Sequence, residues 1–237
     1  MYEYEVGKVE SKESIDKIHL GKTKVVNRVE YILKACKDEK SILHLGCVDS
    51  PFVEDRIVKG QLLHQRICAI APNVAGVDLD SKGIQIMQDR LGIKNLYEGN
   101  IEELDTLDLG SKYSLVLAPE IVEHINNPGL FFGAVSKVME RNGVLLITVP
   151  NALFIKSFVH AMLRREKVHP DHNFYFSPVT LRHLIESNGF SVLEMFPYWS
   201  DPRRGVLGIL DRVFGSFKHL SAWLGDGLVV CARPEIR

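Results

Sequence analysis

The chain alternates short apolar runs with longer segments in which apolar residues recur every three or four positions. The apolar runs predict buried strands at 41–45, 75–79, 95–97, 113–118 and 144–149. The amphipathic segments between them predict helices at 52–70, 81–91 and 130–140, preceded by a helical region at 12–37 that Gly21 divides into two pieces. Past Pro150 we expect a polar and aromatic stretch at 151–176, a helix at 177–188, a strand at 190–196, a helix at 203–224 and a last strand at 228–232.

The first five strands are apolar throughout rather than alternating. Strands of this kind are buried on both faces, which is typical of a parallel sheet covered by helices. The last two strands are expected to form an antiparallel edge. We therefore predict an α/β fold: a doubly wound, Rossmann-like sheet of seven strands, mostly parallel with an antiparallel C-terminal edge, and helices on both faces.

Composition narrows the class of protein. The 237 residues are 46% hydrophobic and carry a formal net charge of −1, which favours one folded domain and excludes a largely disordered chain. Without a surplus of Lys and Arg, no nucleic-acid partner is expected. No run approaches the roughly 18 apolar residues of a membrane span, and Met1–Glu5 is acidic rather than basic as in a signal peptide. The four cysteines are widely spaced, so reduced thiols and a cytoplasmic location are expected.

Candidate ligand-binding residues follow the first two strands. Gly46 begins a loop in which the backbone can approach a ligand closely. The pattern is not G-x-G-x-x-G, however, and an ordinary strand-to-helix turn explains the sequence equally well. Asp78 ends the second strand, where a carboxylate can accept hydrogen bonds from both hydroxyls of a ribose. The alternative role, capping the next helix, suits Asp80 better.

Two further strand ends carry polar groups. Asn100 offers the amide donor and acceptor that an adenine edge requires. Glu120, Glu123 and His124 follow the fourth strand, and Glu120 and His124 are four residues apart, so a helical turn would place them on one face. Ionisable groups over a core suggest a functional site, and a local cap or salt bridge is the alternative.

In their order and spacing, these motifs resemble the class I S-adenosylmethionine-dependent methyltransferases, in particular small-molecule enzymes of glycan and lipid biosynthesis. The resemblance covers roughly residues 40–195 and implies one methyltransferase domain over 1–237, with a helical lid at 1–38, a cofactor-binding core at 39–150 and a substrate side at 151–237. The motifs are Leu45-Gly-Cys47, Gly76-Val-Asp-Leu-Asp80, Gly99-Asn-Ile-Glu102, Glu120-Ile-Val-Glu-His-Ile-Asn-Asn-Pro128, Val144-Leu-Leu-Ile-Thr-Val-Pro-Asn151 and Phe176-Ser-Pro-Val-Thr-Leu-Arg-His-Leu-Ile-Glu-Ser-Asn-Gly-Phe190.

The resemblance implies S-adenosylmethionine as cofactor and assigns roles to residues of the first two strand ends. Gly46 and Cys47 would run along the methionine part of the cofactor through their backbone. Asp78 would hold the ribose hydroxyls, and Leu79 would cover the adenine.

It also assigns roles at the third and fourth strand ends. Asn100 and Ile101 would border the adenine ring, and Ala118–Glu120 would pass beneath the sulfonium. Glu123 and His124 match the family's Glu-His pair at the substrate mouth, so we predict that they take part in catalysis.

The chain departs from the family pattern around the first strand. His44 stands where the family has an acid, and Val48 stands where it has a second glycine and would narrow the approach of the backbone to the cofactor. Asp49 is a candidate cofactor-binding residue because it could replace the missing acid. The spacing to Asp78 is also longer than usual, with the extra length at 61–66.

His124 is the candidate general base, since imidazole titrates near neutral pH; its alternative role is to position the acceptor or to pack behind the cofactor. His169, Asp171 and His172 have spacing that could suggest metal ligands. A loop over the substrate mouth explains this aromatic stretch better, and no metal site is expected.

The remaining expectations concern partners. The helix at 203–224 is expected to cover its own sheet or to form a homodimer rather than to lie on a membrane. The acceptor is expected to be a small molecule, whose identity and methylated atom stay open. A catalytically silent binding protein and a nicotinamide-dependent oxidoreductase are the alternatives to a methyltransferase.

Overall fold

The fold, taken from a computed structural model, is described for residues 20–200, 213 and 221–235. Seven strands are present: β1 Ile42–Leu45, β2 Val74–Asp78, β3 Leu96–Glu98, β4 Tyr113–Pro119, β5 Met139–Pro150, β6 Phe190–Tyr198 and β7 Gly227–Pro234. The helices within the described ranges are α1 Arg28–Cys36, α2 Val53–Val58, α3 Leu63–Cys68, α4 Ser81–Leu91, α5 Pro128–Val138, α6 Ile155–Met162 and α7 Pro178–Ser187.

All seven strands form one sheet in the order β3-β2-β1-β4-β5-β7-β6. The pairs from β3 to β5 are parallel, whereas β7 runs antiparallel between β5 and β6. The order of strands reverses between β1 and β4, which is where ligands bind in doubly wound sheets. The predicted fold class is confirmed.

Helices cover both faces of the sheet. One apolar core joins α5 and α7 to the sheet through Phe131, Phe132 and Leu181, all fully buried. On the opposite face, α1 and α3 contribute Ile32 and Ile67 to a second core. A third cluster lies beneath α4 and next to the loop after β1. The central strands β1, β2 and β4 are thus buried on both sides, as their uninterrupted apolar sequences predict.

The single helix predicted over 52–70 is wrong, because the chain forms two short helices there. Gly60 adopts a φ of +62°, a left-handed conformation that ends α2. The extra residues at 61–66 then begin α3 and bring His64 beneath the sheet. His64 Nδ1 lies 3.1 Å from Nδ1 of His44 on β1, and the two rings stack at 5.3 Å. The longer connection at 61–66 and the replacement of the family's acid by His44 are therefore linked, because the connection supplies the residue that contacts His44.

In the described part of the helical region predicted over 12–37, the helix begins at Arg28, where the side chain of Asn27 accepts a hydrogen bond from Glu30 N–H. Residues 20–27 are not helical, and Val26 instead forms a bridge with Tyr198 of β6. Since α1 packs on the sheet, this part of the predicted lid is a layer of the core. Residues 1–19, the rest of that lid, lie outside the described residues.

The C-terminal part contains a helix that the sequence reading missed. α6 occupies part of the stretch at 151–176, and none of its residues is buried. The helix predicted over 203–224 lies outside the described residues except at position 213, which is helical, and at its end, where Ala222–Leu224 forms a 3₁₀ turn. Within the ranges described, none of the helices combines the length and apolarity needed to cross a membrane.

The buried pair His44 and His64 makes stability sensitive to acid. Burial lowers the pKa of both imidazoles, that of His64 from 6.5 to about 4. Below about pH 6.5 the two imidazoles are therefore protonated in the unfolded chain but neutral in the folded chain. The free energy of unfolding consequently falls as pH drops from about 6.5 towards 4. Urea unfolding of a His44→Leu/His64→Leu variant should show a shallower acid-side decline than the native chain, whereas His183→Ala, at an exposed histidine, should not change it. Superimposable profiles for the native and double-leucine chains would contradict this role.

Candidate active site

The loop after β1 is shaped by two glycines. Gly46 has a φ of +67°, and the side chain of Ile121 packs where a Cβ at Gly46 would lie. Val48 is fully buried, and its side chain fills the space left by the missing Cβ of Gly83 on α4. The expectation that Val48 narrows the ligand side of the loop is therefore wrong, because its side chain points into the core beneath α4.

Asp78 joins the loops that follow β1 and β2. Its carboxylate accepts hydrogen bonds from Val48 N–H at 2.9 Å and from Asp80 N–H at 3.0 Å. Asp80 in turn caps α4 by accepting from Gly83 N–H, as its position in the sequence indicated. Leu79 beside them is 69% exposed, an apolar surface at the carboxyl end of β2.

Two other predicted cofactor-binding residues, Cys47 and Asp49, have side chains that are buried or already paired. Cys47 is almost fully buried, and burial raises the pKa of its thiol, so only its backbone can face a cofactor. Asp49 forms an ion pair with Arg56 of α2 at 2.7 Å. Because this carboxylate already has a cationic partner, the structure gives no support to its replacing the missing acid.

The end of β3 places Asn100 at the start of a 3₁₀ turn. The side-chain oxygen of Asn100 accepts from Glu102 N–H at 3.0 Å, which leaves its amide group as the donor that it can offer a ligand. Ile101 packs against the main core. Ala118 is fully buried in β4, so only its backbone could contact a cofactor.

Glu120 directly follows β4 and has a left-handed conformation, with a φ of +54°. Its carboxylate accepts hydrogen bonds from the hydroxyls of Thr148, at 2.7 Å, and Tyr198, at 3.2 Å, and Arg28 of α1 lies 3.5 Å away. Glu120 therefore ties α1, β5 and β6 together at the carboxyl edge.

Glu123 is a buried acid, only 1% exposed. Neither of its carboxyl oxygens has a hydrogen-bond partner among the residues described. Burial, with a further contribution from the charge of Glu120, raises the pKa of Glu123 from 4.5 to about 9. The carboxyl group is thus neutral at pH 7 and can donate a hydrogen bond.

The loop at 169–174 is fastened to the segment that carries His124. The Asn173 side chain donates to the carbonyls of His124, at 2.9 Å, and Ile125, at 3.1 Å. The N–H groups of Asn173 and Phe174 both donate to the carbonyl of Glu123. Nδ1 of His124 lies 3.1 Å from the carbonyl oxygen of Asp171. This contact favours the tautomer that carries its proton on Nδ1 and leaves a lone pair on Nε2.

This fastening brings three histidines together. The ring of His124 lies 4.6 Å from that of His172 and 5.7 Å from that of His169. Burial, followed by the two neighbouring imidazoles, lowers the pKa of His172. The sequence reading grouped only His169, Asp171 and His172, and spacing could not indicate that His124 joins them.

The chain resembles a known protein family in sequence and solved structures in fold. Residues 19–195 match the sequence model of the family described as "Methyltransferase domain". The chain belongs to that family. The predictions of a methyltransferase, a Rossmann-like fold and S-adenosylmethionine as cofactor are confirmed at the level of the family, and a nicotinamide-dependent oxidoreductase is not retained.

Its relatives are distant. The chain is 29% identical over 175 residues to a ubiquinone biosynthesis O-methyltransferase of Azorhizobium caulinodans, covering 69% of this chain and 64% of the relative. It therefore spans less than two thirds of that protein's length. The fold is similar to that of a SAM-dependent methyltransferase from Archaeoglobus fulgidus (TM-score 0.56, 17% identity, covering 87% of this chain and 91% of the other). It is also similar to that of magnesium protoporphyrin IX methyltransferase from Synechocystis, solved with bound SAH (TM-score 0.54, 14% identity, covering 87% and 82%).

The raised pKa of Glu123 gives a test of its burial. The group is protonated in the folded chain and ionised in the unfolded chain between about pH 4.5 and about 9, so unfolding releases a proton there. Its contribution to the free energy of unfolding falls by up to about 1.4 kcal/mol per pH unit across that window. Glu123→Gln removes the ionisable carboxyl group but keeps the shape of the side chain. The free energy of unfolding of this variant, measured with urea and compared with that of the native chain, should therefore become relatively larger as pH rises. A constant difference between the two chains would show that Glu123 is ionised when folded.

Asp78 is the residue on which cofactor binding is predicted to depend most. Asp78→Ala removes the acceptor for the ribose hydroxyls, and hydrogen bonds to charged groups are each worth about 1.5–3 kcal/mol. Calorimetry should show affinity for S-adenosylmethionine reduced at least about tenfold. Asp80→Ala is the matched control, since it removes the cap of α4, costing about 1 kcal/mol of stability, without the predicted ribose contact. A folded Asp78→Ala protein that binds the cofactor normally would refute the assignment.

Proposed function

We propose that the protein transfers the methyl group of S-adenosylmethionine to a hydroxyl oxygen of a small molecule. The observation that carries the proposal is the imidazole of His124, held through Nδ1 by the carbonyl of Asp171 at the edge of the sheet where the cofactor motifs end. A hydroxyl must lose its proton as it attacks the sulfonium methyl group, and the Nε2 lone pair of His124 can accept that proton.

The cofactor is proposed to lie across the carboxyl ends of β1, β2 and β4. Asp78 can bind the ribose, and the exposed side chain of Leu79 can cover one face of the adenine. The side-chain amide of Asn100 can donate a hydrogen bond to the adenine edge. Gly46 leaves its backbone close to the methionine part. This arrangement holds the methyl donor in place, and most of the rate enhancement then comes from alignment of the acceptor oxygen with the methyl group.

Glu123 is proposed to contribute as a neutral, hydrogen-bonding group at the same place. Its buried carboxyl group has a proton to donate at pH 7 and lacks a partner in the described part of the chain. An acceptor oxygen or the cofactor itself could supply that partner. A buried polar group without a partner costs about 1–3 kcal/mol, so a ligand that satisfies it gains that contribution.

The acceptor is proposed to join its hydroxyl to an apolar body, as a lipid-pathway intermediate does. Residues 152–176 leave and rejoin the sheet at one point, where Asn151 forms a bridge with Phe176. The same excursion carries His169 and His172 and the exposed apolar side chains of α6, among them Phe158 and Met162. The relatives named as ubiquinone biosynthesis O-methyltransferases support this class over a glycan intermediate.

The proposal is tested by following S-adenosylhomocysteine release from S-adenosylmethionine with a panel of acceptors. Short-chain prenylated phenols and quinols represent the apolar class, and sugar nucleotides represent glycan intermediates. Turnover should be confined to the apolar hydroxyl compounds. Turnover with sugars alone would overturn the acceptor class, and cofactor binding without turnover on any acceptor would favour the silent binding protein.

His124→Gln tests the role of the imidazole in the transfer step. Gln keeps the polarity and approximate size of the side chain but cannot take up a proton near neutral pH. Loss of a general base costs about 10²–10⁴ in rate, so kcat should fall by that factor while cofactor affinity and melting temperature stay unchanged. His183→Gln, at an exposed histidine outside the site, should keep full activity. Unchanged turnover by His124→Gln would leave His124 without a part in the chemistry.

A further inference from the structure

Three imidazoles from two separate segments meet at the substrate mouth. His124 follows β4, whereas His169 and His172 lie on the excursion between β5 and α7. One potential ligand atom from each of the three lies within 4.8 Å of the other two. Nδ1 of His172 is shielded from solvent and has no hydrogen-bond partner in the portion of the chain described.

The positions of these side chains are set by the backbone. Asn173 donates hydrogen bonds to the segment of His124 from its main-chain N–H, to the carbonyl of Glu123, and from its side chain, to the carbonyls of His124 and Ile125 and to Oδ1 of Asn126. Phe174 N–H adds another to the carbonyl of Glu123. The two segments are thus joined immediately beside the histidines, and the cluster is pre-organised rather than a contact between two independent loops.

We propose that His124, His169 and His172 bind a divalent transition-metal ion of the zinc class. Three neutral imidazoles are a donor set that suits Zn²⁺, Co²⁺, Ni²⁺ or Fe²⁺ and suits Mg²⁺ or Ca²⁺ poorly, because the latter prefer oxygen ligands. Tetrahedral Zn²⁺ with Zn–N bonds of 2.0–2.1 Å requires nitrogen atoms about 3.4 Å apart. The potential ligand atoms already lie within 4.8 Å of one another, so binding an ion requires them to approach by roughly 1.4 Å at most.

The surroundings of His124 match those of metal-bound histidines in other proteins. Metal-binding histidines usually donate the N–H of their other ring nitrogen to a carbonyl or carboxylate. His124 has such a carbonyl, that of Asp171. Nδ1 of His169, in contrast, accepts a hydrogen bond from Asp171 N–H at 3.4 Å. Three protein ligands leave a fourth position open, as in catalytic rather than structural zinc sites.

Only the role of the ion in methyl transfer rests on the proposed function. An acceptor hydroxyl bound at the open position would have a lowered pKa. It would lose its proton to solvent, form its O–C bond as the S–C bond of the cofactor breaks, and release S-adenosylhomocysteine. His124 would then act by holding the ion. Binding of the ion itself requires neither cofactor nor acceptor, so it can be measured without them.

The experiment titrates tag-free protein, stripped by chelator and without cofactor, with Zn²⁺ in a calorimeter and with Co²⁺ in a visible spectrophotometer. One ion should bind per chain, and Co²⁺ should develop the visible absorption of a tetrahedral site. His169→Ala and His172→Ala should each weaken binding at least about tenfold, since even losing a group that only orients a ligand costs about 10–100-fold. Asn173→Ala should weaken it as well, and His183→Ala should leave it unchanged.

Melting temperatures show whether each variant folds, and the exposed position of His169 makes its substitution the safest. Absence of binding to the native chain, or undiminished binding to a folded His169→Ala/His172→Ala protein, overturns the proposal. Either result leaves the proposed methyl transfer standing, with His124 as its base. Conversely, a chain that binds Zn²⁺ through these histidines but transfers no methyl group keeps the metal site and refutes the proposed function.

Discussion

Because β1 and β4 lie side by side and parallel, while the chain leaves them towards opposite faces of the sheet, the order of strands reverses between them, and ligands of doubly wound sheets bind at the carboxyl ends of such strands. The other features of the site depend on this reversal. It sets Gly46 and Ile121 against one another, places Asp78 next to the loop after β1, and puts Glu120, Glu123 and His124 at the same edge. Residues distant in the sequence share one surface for this reason.

Each departure from the family pattern around β1 is compensated by a second residue that contacts it in the fold. Motif positions along the sequence do not show these contacts. His44 replaces an acid, and the longer connection supplies His64 as its hydrogen-bonding and stacking partner. Val48 replaces a glycine, and Gly83 on α4 supplies the space for its side chain. In both cases a buried contact absorbs the change, and the backbone of the loop keeps its position beside Asp78.

The strands and their mostly parallel arrangement could be predicted because uninterrupted apolar runs have few other uses in a chain of this length. The helix boundaries were harder, since they rest on single residues such as Gly60, whose left-handed conformation splits one predicted helix. At 20–27 the apolar spacing suited a helix, yet a bridge between Val26 and Tyr198 extends the chain there. Tertiary pairing overrides local periodicity in such segments.

At the site, the sequence indicated which strand ends carry polar groups but not what those groups contact. The sequence did not indicate that Asp49 pairs with Arg56, or that the carboxyl group of Glu123 is buried without a partner among the described residues. The meeting of His124 with His172 depends on hydrogen bonds made by Asn173, 49 residues away from His124 in the chain. Such contacts follow from the folded arrangement of loops, which spacing along the sequence does not encode.

The central claim is that S-adenosylmethionine lies across the carboxyl ends of β1, β2 and β4 with its reactive end towards His124. A crystal structure of the protein with S-adenosylhomocysteine tests it most directly. The account predicts the ribose hydroxyls within hydrogen-bond distance of Asp78, the adenine against Leu79, and the sulfur facing the histidines across an open space for the acceptor. Density for the nucleoside at another edge of the sheet, or a sulfur turned away from His124, would contradict it.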